Sequence, residues 1–277
     1  MDVSVLGRLD VRVDDVSVTP TAPKPRQVLA LLALRADTVV SVASLTEELW
    51  GTRPPRSARA TLQTYVLQLR GLIGAALRQR AAHAGVCSAK EVLATTPDGY
   101  LLDTGGGRSD VREFELLAVA GRQATEAGDW SAAAHHLRTA LSLWAGPVLA
   151  GVRSGAVLSL EARRLEETRL CALIQRIDAD LRLGHHRSLL AELSVLVGQY
   201  PTDETLHAQL MLALHRSGRR SEALQAYQRL RRALVDELGL EPSAALQRMQ
   251  RHVLTDGAES CARVAAADGV KQTVPAG

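Results

Sequence analysis

The apolar residues of this chain change their period at a proline-rich break, and that change limits the folds open to it. From Val3 to Val18, VSVLGRLDVRVDDVSV, apolar and polar residues alternate. That is the two-residue period of strands with one buried face. Gly7 and the pair Asp14–Asp15 fall where turns would sit, so the segment predicts two or three short antiparallel strands. TPTAPKPRQ then interrupts the pattern with three prolines. Beyond it the apolar period is helical over most of the chain.

A first helix is predicted over about Pro25–Arg35, with Pro25 in the first turn, where its missing N–H costs nothing. Val39–Val40 is a short extended piece. Ser41 can cap a second helix, Val42–Trp50, which ends at Gly51. After GTRPP a third helix starts near Pro55 and runs to about Leu77. Leu62, Val66, Leu69 and Ile73 form one apolar stripe along it. VLATTPDGYLLD reads as a hairpin turning at Pro97–Asp98–Gly99. Strands, three helices and a hairpin in that order are the layout of a winged helix. Its third helix enters the major groove and its hairpin is the wing.

Thr104–Gly105–Gly106–Gly107 has low helix and strand propensity and reads as a linker. From Asp110 nearly everything is helical, and Asp110 with Glu113 resembles a capping box. Three later segments share a pattern: AGDWSAAAHHLRTAL from Ala127, LGHHRSLLAELSVLV from Leu183 and SGRRSEALQAYQRLR from Ser217. Each has a turn glycine, Gly128, Gly184 or Gly218. Ala133, Leu189 and Ala223 follow, then Leu137, Leu193 and Tyr227, then Ala140, Leu196 and Leu230 at equal offsets. Gly184 and Gly218 stand 34 residues apart, the tetratricopeptide period. Such helix pairs bury their apolar faces only by stacking on neighbours. Unrelated amphipathic helices with chance glycines are the alternative. After Thr255 the period is lost and a disordered tail is expected.

Composition removes several functions. Cys87, Cys171 and Cys261 are odd in number and match no metal-ligand spacing, so they read as free thiols. The N-terminus is acidic where a secretory leader needs a basic flank, and no run approaches the ~18 apolar residues of a membrane span. The expectation is a soluble, cytoplasmic chain without membrane partners. Aromatic residues make up 3%, which disfavours single-strand binding by base stacking. No phosphate-binding loop, nucleophile elbow or H-E-x-x-H zinc motif occurs. His135–His136 and His185–His186 are adjacent pairs, and helical neighbours point about 100° apart, a poor chelate. No enzyme activity, metal or cofactor is expected.

The local charge is more informative than the net charge of +3. Between Leu49 and Lys90 there is no Asp or Glu, yet the window holds Arg53, Arg56, Arg59, Arg70, Arg78, Arg80 and Lys90. A solvated face normally mixes signs, so this window points to a polyanion. With the apolar stripe of the third helix buried, Arg56, Ala60, Gln63, Thr64, Leu67 and Arg70 face outward and Arg59 sits at the border. Arginine and glutamine can read purine edges, threonine can contact base or phosphate, and Leu67 can meet a thymine methyl. Lys24 and Arg26, at the start of the first helix, can hold phosphates or stand solvated. In the wing Thr95, Thr96 and Tyr100 can touch phosphate or the minor groove, though Tyr100 also suits a packing role.

TAPKPRQVLALLALRA (21–36), ELWGTRPPRSARATLQTYVLQLR (48–70), PDGYLL (97–102) and the long segment LHAQLMLALHRSGRRSEALQAYQRLRRALVDELGLEPSAALQRM (206–249) resemble the Streptomyces antibiotic regulatory protein family of transcriptional activators. The resemblance covers about residues 3–254. It implies a mostly α fold: an OmpR-type winged helix-turn-helix over 1–104, a linker at 105–109, and a tetratricopeptide-like bacterial transcriptional activation domain over 110–255, with 256–277 as the tail. It implies a sequence-specific activator of a secondary-metabolite cluster that binds direct repeats in double-stranded promoter DNA, as a homodimer or tandem protomers, and recruits RNA polymerase holoenzyme. The implied polymerase contact is the loop Gly51, Thr52, Arg53 and Pro54. The first domain is expected to fold alone and bind a single repeat weakly. Two departures stand out: Thr95–Thr96 replaces the basic residue often found before the wing turn, and the segment 78–91 is long. No receiver or ATPase domain is attached, so a small stand-alone member is expected. The alternative function is a tetratricopeptide-like adaptor that binds proteins and has lost DNA binding.

Overall fold

A computed structural model describes residues 1–80 and 88–255. Cys87, Cys261 and the expected tail lie outside the described residues. The chain divides into two compact units. The first comprises Met1–Ala127 with His135–Leu173, the second Gly128–Ala134 with Ile174 onward.

In the first unit, strands β1 (Asp2–Ser4), β2 (Asp10–Val13) and β3 (Val16–Ser17) form an antiparallel sheet in that order. The turn at Asp14 has a positive φ of 52°. Helices α1 (Pro23–Leu34), α2 (Val42–Trp50) and α3 (Ala58–Arg80) pack on one another. Strand β4 (Val39–Ser41) separates the first two. Ser41 caps α2 by accepting from the Ser44 N–H at 3.0 Å, and Gly51 ends that helix with φ 62°. A single turn, α4 (Ala89–Val92), which the alternation did not predict, precedes the wing strands β5 (Leu93–Thr95) and β6 (Gly99–Leu102). Strand β6 lies between β4 and β5, so the wing grows out of a three-stranded sheet. At Gly99 a Cβ would stand 1.9 Å from the Val40 carbonyl oxygen, so only glycine permits the β4–β6 approach.

The same unit takes in α5 (Asp110–Glu126), most of α6 (Trp130–Ser142) and the front of α7 (Ala156–Arg182). One continuous apolar core runs from Val3 through Leu29, Leu62 and Leu102 to Phe114, Leu137 and Leu165. Phe114 meets Trp144 edge-on at 5.3 Å. Acidic side chains tie the winged-helix elements to the helices that follow. Glu48, 2% exposed, accepts from Gln27 Nε2 at 2.6 Å, from the Gly155 N–H at 2.5 Å and from the Leu158 N–H at 2.8 Å. A side chain of α2 thereby satisfies amides at the α7 N-terminus that have no intrahelical partner. Asp37 accepts from the Thr104 N–H at 2.7 Å and pairs with Arg112. Asp110 does not cap α5, as the capping-box reading expected. Ser109 does, accepting from the Arg112 N–H, while the Asp110 carboxylate accepts from the Val5 and Leu6 N–H groups at 2.7 and 2.9 Å. Those two amides turn away from the sheet and need an acceptor nearby.

The second unit is helical among its described residues. It holds the rear of α7, α8 (His186–Gln199), α9 (Glu204–Arg216), α10 (Arg220–Leu238) and helical residues 244–255. Helix α9 packs against both α8 and α10. The repeated pattern holds throughout the chain. Gly128, Gly184 and Gly218 have φ of 76°, 88° and 79°, the left-handed turn between paired helices. All nine apolar positions at the shared offsets are buried. Arg182 covers the Trp130 ring at 4.2 Å, and Arg176 pairs with Asp180 and Glu192.

Candidate nucleic-acid interface

Helix α3 buries Ala58, Leu62, Val66, Leu69, Ile73 and Ala76, the residues of one helical stripe. The opposite side presents Arg59, Ala60, Gln63, Thr64, Leu67, Gln68 and Gly71 to solvent. Arg59 is therefore fully on the outer face rather than at its border. Helix α3 starts at Ala58, so Arg56 stands in the turn before it, also exposed. All four residues of the loop Gly51, Thr52, Arg53 and Pro54 are exposed.

The basic residues singled out in the sequence separate into two groups. The guanidinium groups of Arg53, Arg56 and Arg59 make no hydrogen bond or ion pair with another described residue. Lys24, Arg26 and Arg70 are engaged inside the unit. The Lys24 ammonium donates to the Leu49 carbonyl at 2.5 Å and so holds a carbonyl in the last turn of α2. Arg26 donates to the Pro20 carbonyl at 2.8 Å. Arg70 grips the wing, donating to the Leu93 carbonyl at 2.7 and 2.9 Å and to Thr95 Oγ1 at 2.8 Å. That fork fixes β5 against α3, a planar donor geometry that lysine could not reproduce.

The wing carries less free chemistry. Tyr100 is 6% exposed and belongs to the core. Thr96 closes the turn, its N–H donating to the Gly99 carbonyl at 2.9 Å and its Oγ1 accepting from the Gly99 N–H at 3.1 Å. Asp98 is exposed at the tip. Thr64 Oγ1 donates to the Ala60 carbonyl at 3.1 Å, which leaves the oxygen free to accept. Gln63 is exposed and unengaged, and Gln68, absent from the sequence-derived set, joins it on the same face. The signal for Gln68 was its place one residue beyond Leu67 on the helical wheel. No group of three or more metal-ligating side chains occurs among the described residues, and no described helix is long and apolar enough to cross a membrane.

The arrangement is a helix whose outer side bears amides, a hydroxyl and the aliphatic chains of Leu67 and, less exposed, Leu72, with three unpaired guanidinium groups at and before its N-terminal end. No acid stands between Leu49 and Lys90 to neutralise them.

Known proteins share this plan. Residues 109–254 match the bacterial transcriptional activator domain, and residues 17–83 match the C-terminal domain of transcriptional regulatory proteins. Regulatory protein DnrI of Streptomyces peucetius is 51% identical over 254 residues, covering 92% of each chain. Regulatory protein AfsR of Streptomyces coelicolor is 37% identical over 90% of this chain, which spans only 24% of AfsR. The transcriptional regulatory protein EmbR of Mycobacterium tuberculosis is 34% identical over 92% of this chain and 63% of its own length. The solved structure of EmbR in complex with a low affinity phosphopeptide matches with a TM-score of 0.82 at 33% identity, covering 97% of this chain and 69% of that one. These relatives are regulators rather than enzymes. The chain, a winged helix followed by a bacterial transcriptional activator domain, belongs to the Streptomyces antibiotic regulatory protein family of transcriptional regulators.

Proposed function

We propose that this regulator binds duplex promoter DNA with the outer face of α3 in the major groove and activates transcription by offering the Gly51–Pro54 loop to RNA polymerase. One observation carries the DNA part. Arg56 and Arg59 are exposed and unpaired in a stretch without acids, and two uncompensated cations repel one another until a polyanion meets them. Gln63 and Gln68 beside them favour duplex DNA over an acidic protein, because a carboxamide matches the adenine edge with two hydrogen bonds. Protomers placed side by side on direct repeats would raise the effective concentration of each other. The relatives and the family point to promoters of a secondary-metabolite cluster as targets, and to action in the cytoplasm.

Gel shifts on promoters of neighbouring biosynthetic genes, paired with reconstituted transcription, test both parts. Arg56→Ala and Arg59→Ala should weaken binding. Unchanged affinity in both variants would sink the DNA part. Arg53→Ala and Arg53→Glu should keep most of the affinity yet lose activation. If affinity and transcription fall together in both, the loop is a DNA contact and the polymerase part is wrong.

A further inference from the structure

Leu67 is 64% exposed, in the middle of the outer face of α3. Its neighbours on that face, one turn to either side, are Gln63, Thr64 and Gly71, with Gln68 next to it in sequence. The Thr64 hydroxyl hydrogen is held by the Ala60 carbonyl, and a Cβ on Gly71 would meet nothing within 4 Å, so the space around Leu67 is open. The side chain lies opposite the buried stripe of Leu62, Val66, Leu69 and Ile73 and supports no packing there. Every other long side chain on the outer face from Arg59 to Gln68 is polar.

We infer that Leu67 is a specificity-determining residue that contacts the 5-methyl group of one thymine in the target site, an inference that rests on the DNA-binding reading above. Each base pair shows hydrogen-bond donors and acceptors in the major groove, and the thymine methyl is the apolar group displayed there. An isobutyl chain has no hydrogen bond to offer a base edge. What it gains in the groove is removal of apolar surface from water, and that gain exists where a methyl group faces it. The surrounding charge fits this occupant: the acid-free window that carries Leu67 complements phosphate on both sides of the groove. Gln63, one turn away, prefers adenine, so the two residues together select a site with A·T pairs in neighbouring positions.

The test removes the methyl rather than the residue alone. Duplexes are selected from a random pool with the full chain, and each thymine of the enriched sequence is replaced in turn by deoxyuridine. Hydrogen bonding is unchanged by that replacement. At one position deoxyuridine should weaken wild-type binding by about fourfold, the worth of one buried methyl-sized group. Leu67→Ala and Leu67→Gln, folded by circular dichroism because the site is exposed, should bind thymine and deoxyuridine alike at that position. If the pool yields a bound sequence but no thymine distinguishes wild type from both variants, the Leu67 inference is overturned and the DNA-binding reading stands. If no duplex is enriched over a pool without protein, the DNA-binding reading fails and takes this inference with it.

Discussion

The two compact units both carry surface ion pairs, but they use their acids differently. In the first, Glu48 is buried, Asp110 half-buried and Asp37 exposed, and each carboxylate accepts backbone amides: those of Gly155 and Leu158, of Val5 and Leu6, and of Thr104. In the second, many charges pair with each other at the surface, as Arg182 does with Asp178, Arg219 with Glu222 and Arg231 with Glu241. Exposed pairs of that kind add little stability and neutralise the surface they sit on. The difference shows where a polyanion can be held. The first unit uses acids as structural acceptors and leaves the α3 face basic, whereas the second balances its charges locally and depends on stacked apolar helices.

The largest expected effect concerns the extent of the first unit. Because one core joins Val3 to Leu165, residues 1–104 alone should lack a cooperative thermal transition, whereas residues 1–173 should melt cooperatively by circular dichroism. A cooperative melt of 1–104 matching that of 1–173 would break the comparison, since the winged helix would then need none of α5 to α7. Next in size is Glu48→Ala. It leaves two backbone amides without their acceptor and takes one of two acceptors from the Gln27 amide, which keeps the Glu48 carbonyl, at a cost of about 3 kcal/mol in urea unfolding. Glu222→Ala in the second unit removes only an exposed pairing and should leave the midpoint in place. Equal shifts in both variants would contradict the distinction between buried acceptors and surface pairs.

A smaller effect separates the units by pH. Burial, helped by Arg229, lowers the His207 imidazole below its ordinary 6.5, against weaker opposition from the Ala226 and Pro201 backbone and from Asp203. A depressed group binds its proton more readily when unfolded. The second unit therefore has this contribution in full above about pH 6.5 and loses it as pH falls through the lowered value. In the first unit burial pushes Asp37 up, but the Thr104 and Arg112 hydrogen bonds outweigh it and bring the carboxyl below 3.8. Glu161 is likewise lowered below 4.5: burial opposes the shift, but bonds from Arg35 and Arg164 outweigh it. These two contributions are lost only in stronger acid. Amide protection, taken relative to the intrinsic exchange rate at each pH, should thus fall in α9 and α10 between pH 6.5 and 4.5 before it does in α1 and α5. His207→Gln should narrow that gap, and an unchanged gap would show that the imidazole is not its source.

Local chemistry made much of this fold legible. The Ser41 cap, the Gly51 stop, the Pro97–Gly99 turn and the three glycine-led helix pairs all follow from residues within a few positions of one another. Contacts between distant residues were not legible. Nothing near Glu48 announces that it will accept from amides 107 and 110 residues away, and nothing near Asp110 says that its partners are Val5 and Leu6. The same limit shaped the reading of the interface. A helical wheel finds the outer face of α3, but Arg70 and Lys24 count as free cations until the carbonyls of Leu93 and Leu49 are in place. The capping box at Asp110 was misplaced by one residue because Ser109 and Asp110 are both good caps, and tertiary structure decided between them.

The central claim is that the first unit, through its unpaired arginines, holds DNA phosphates. The salt dependence of duplex binding tests it most directly. The slope of log affinity against log salt should be roughly −0.9 for each phosphate neutralised. The double variant Arg56→Ala/Arg59→Ala should flatten that slope by about two in the log–log plot. Arg229→Ala/Arg232→Ala, which removes two exposed arginines of α10 in the second unit, should leave it unchanged. A wild-type slope near zero, or equal flattening by the two double variants, would contradict the account.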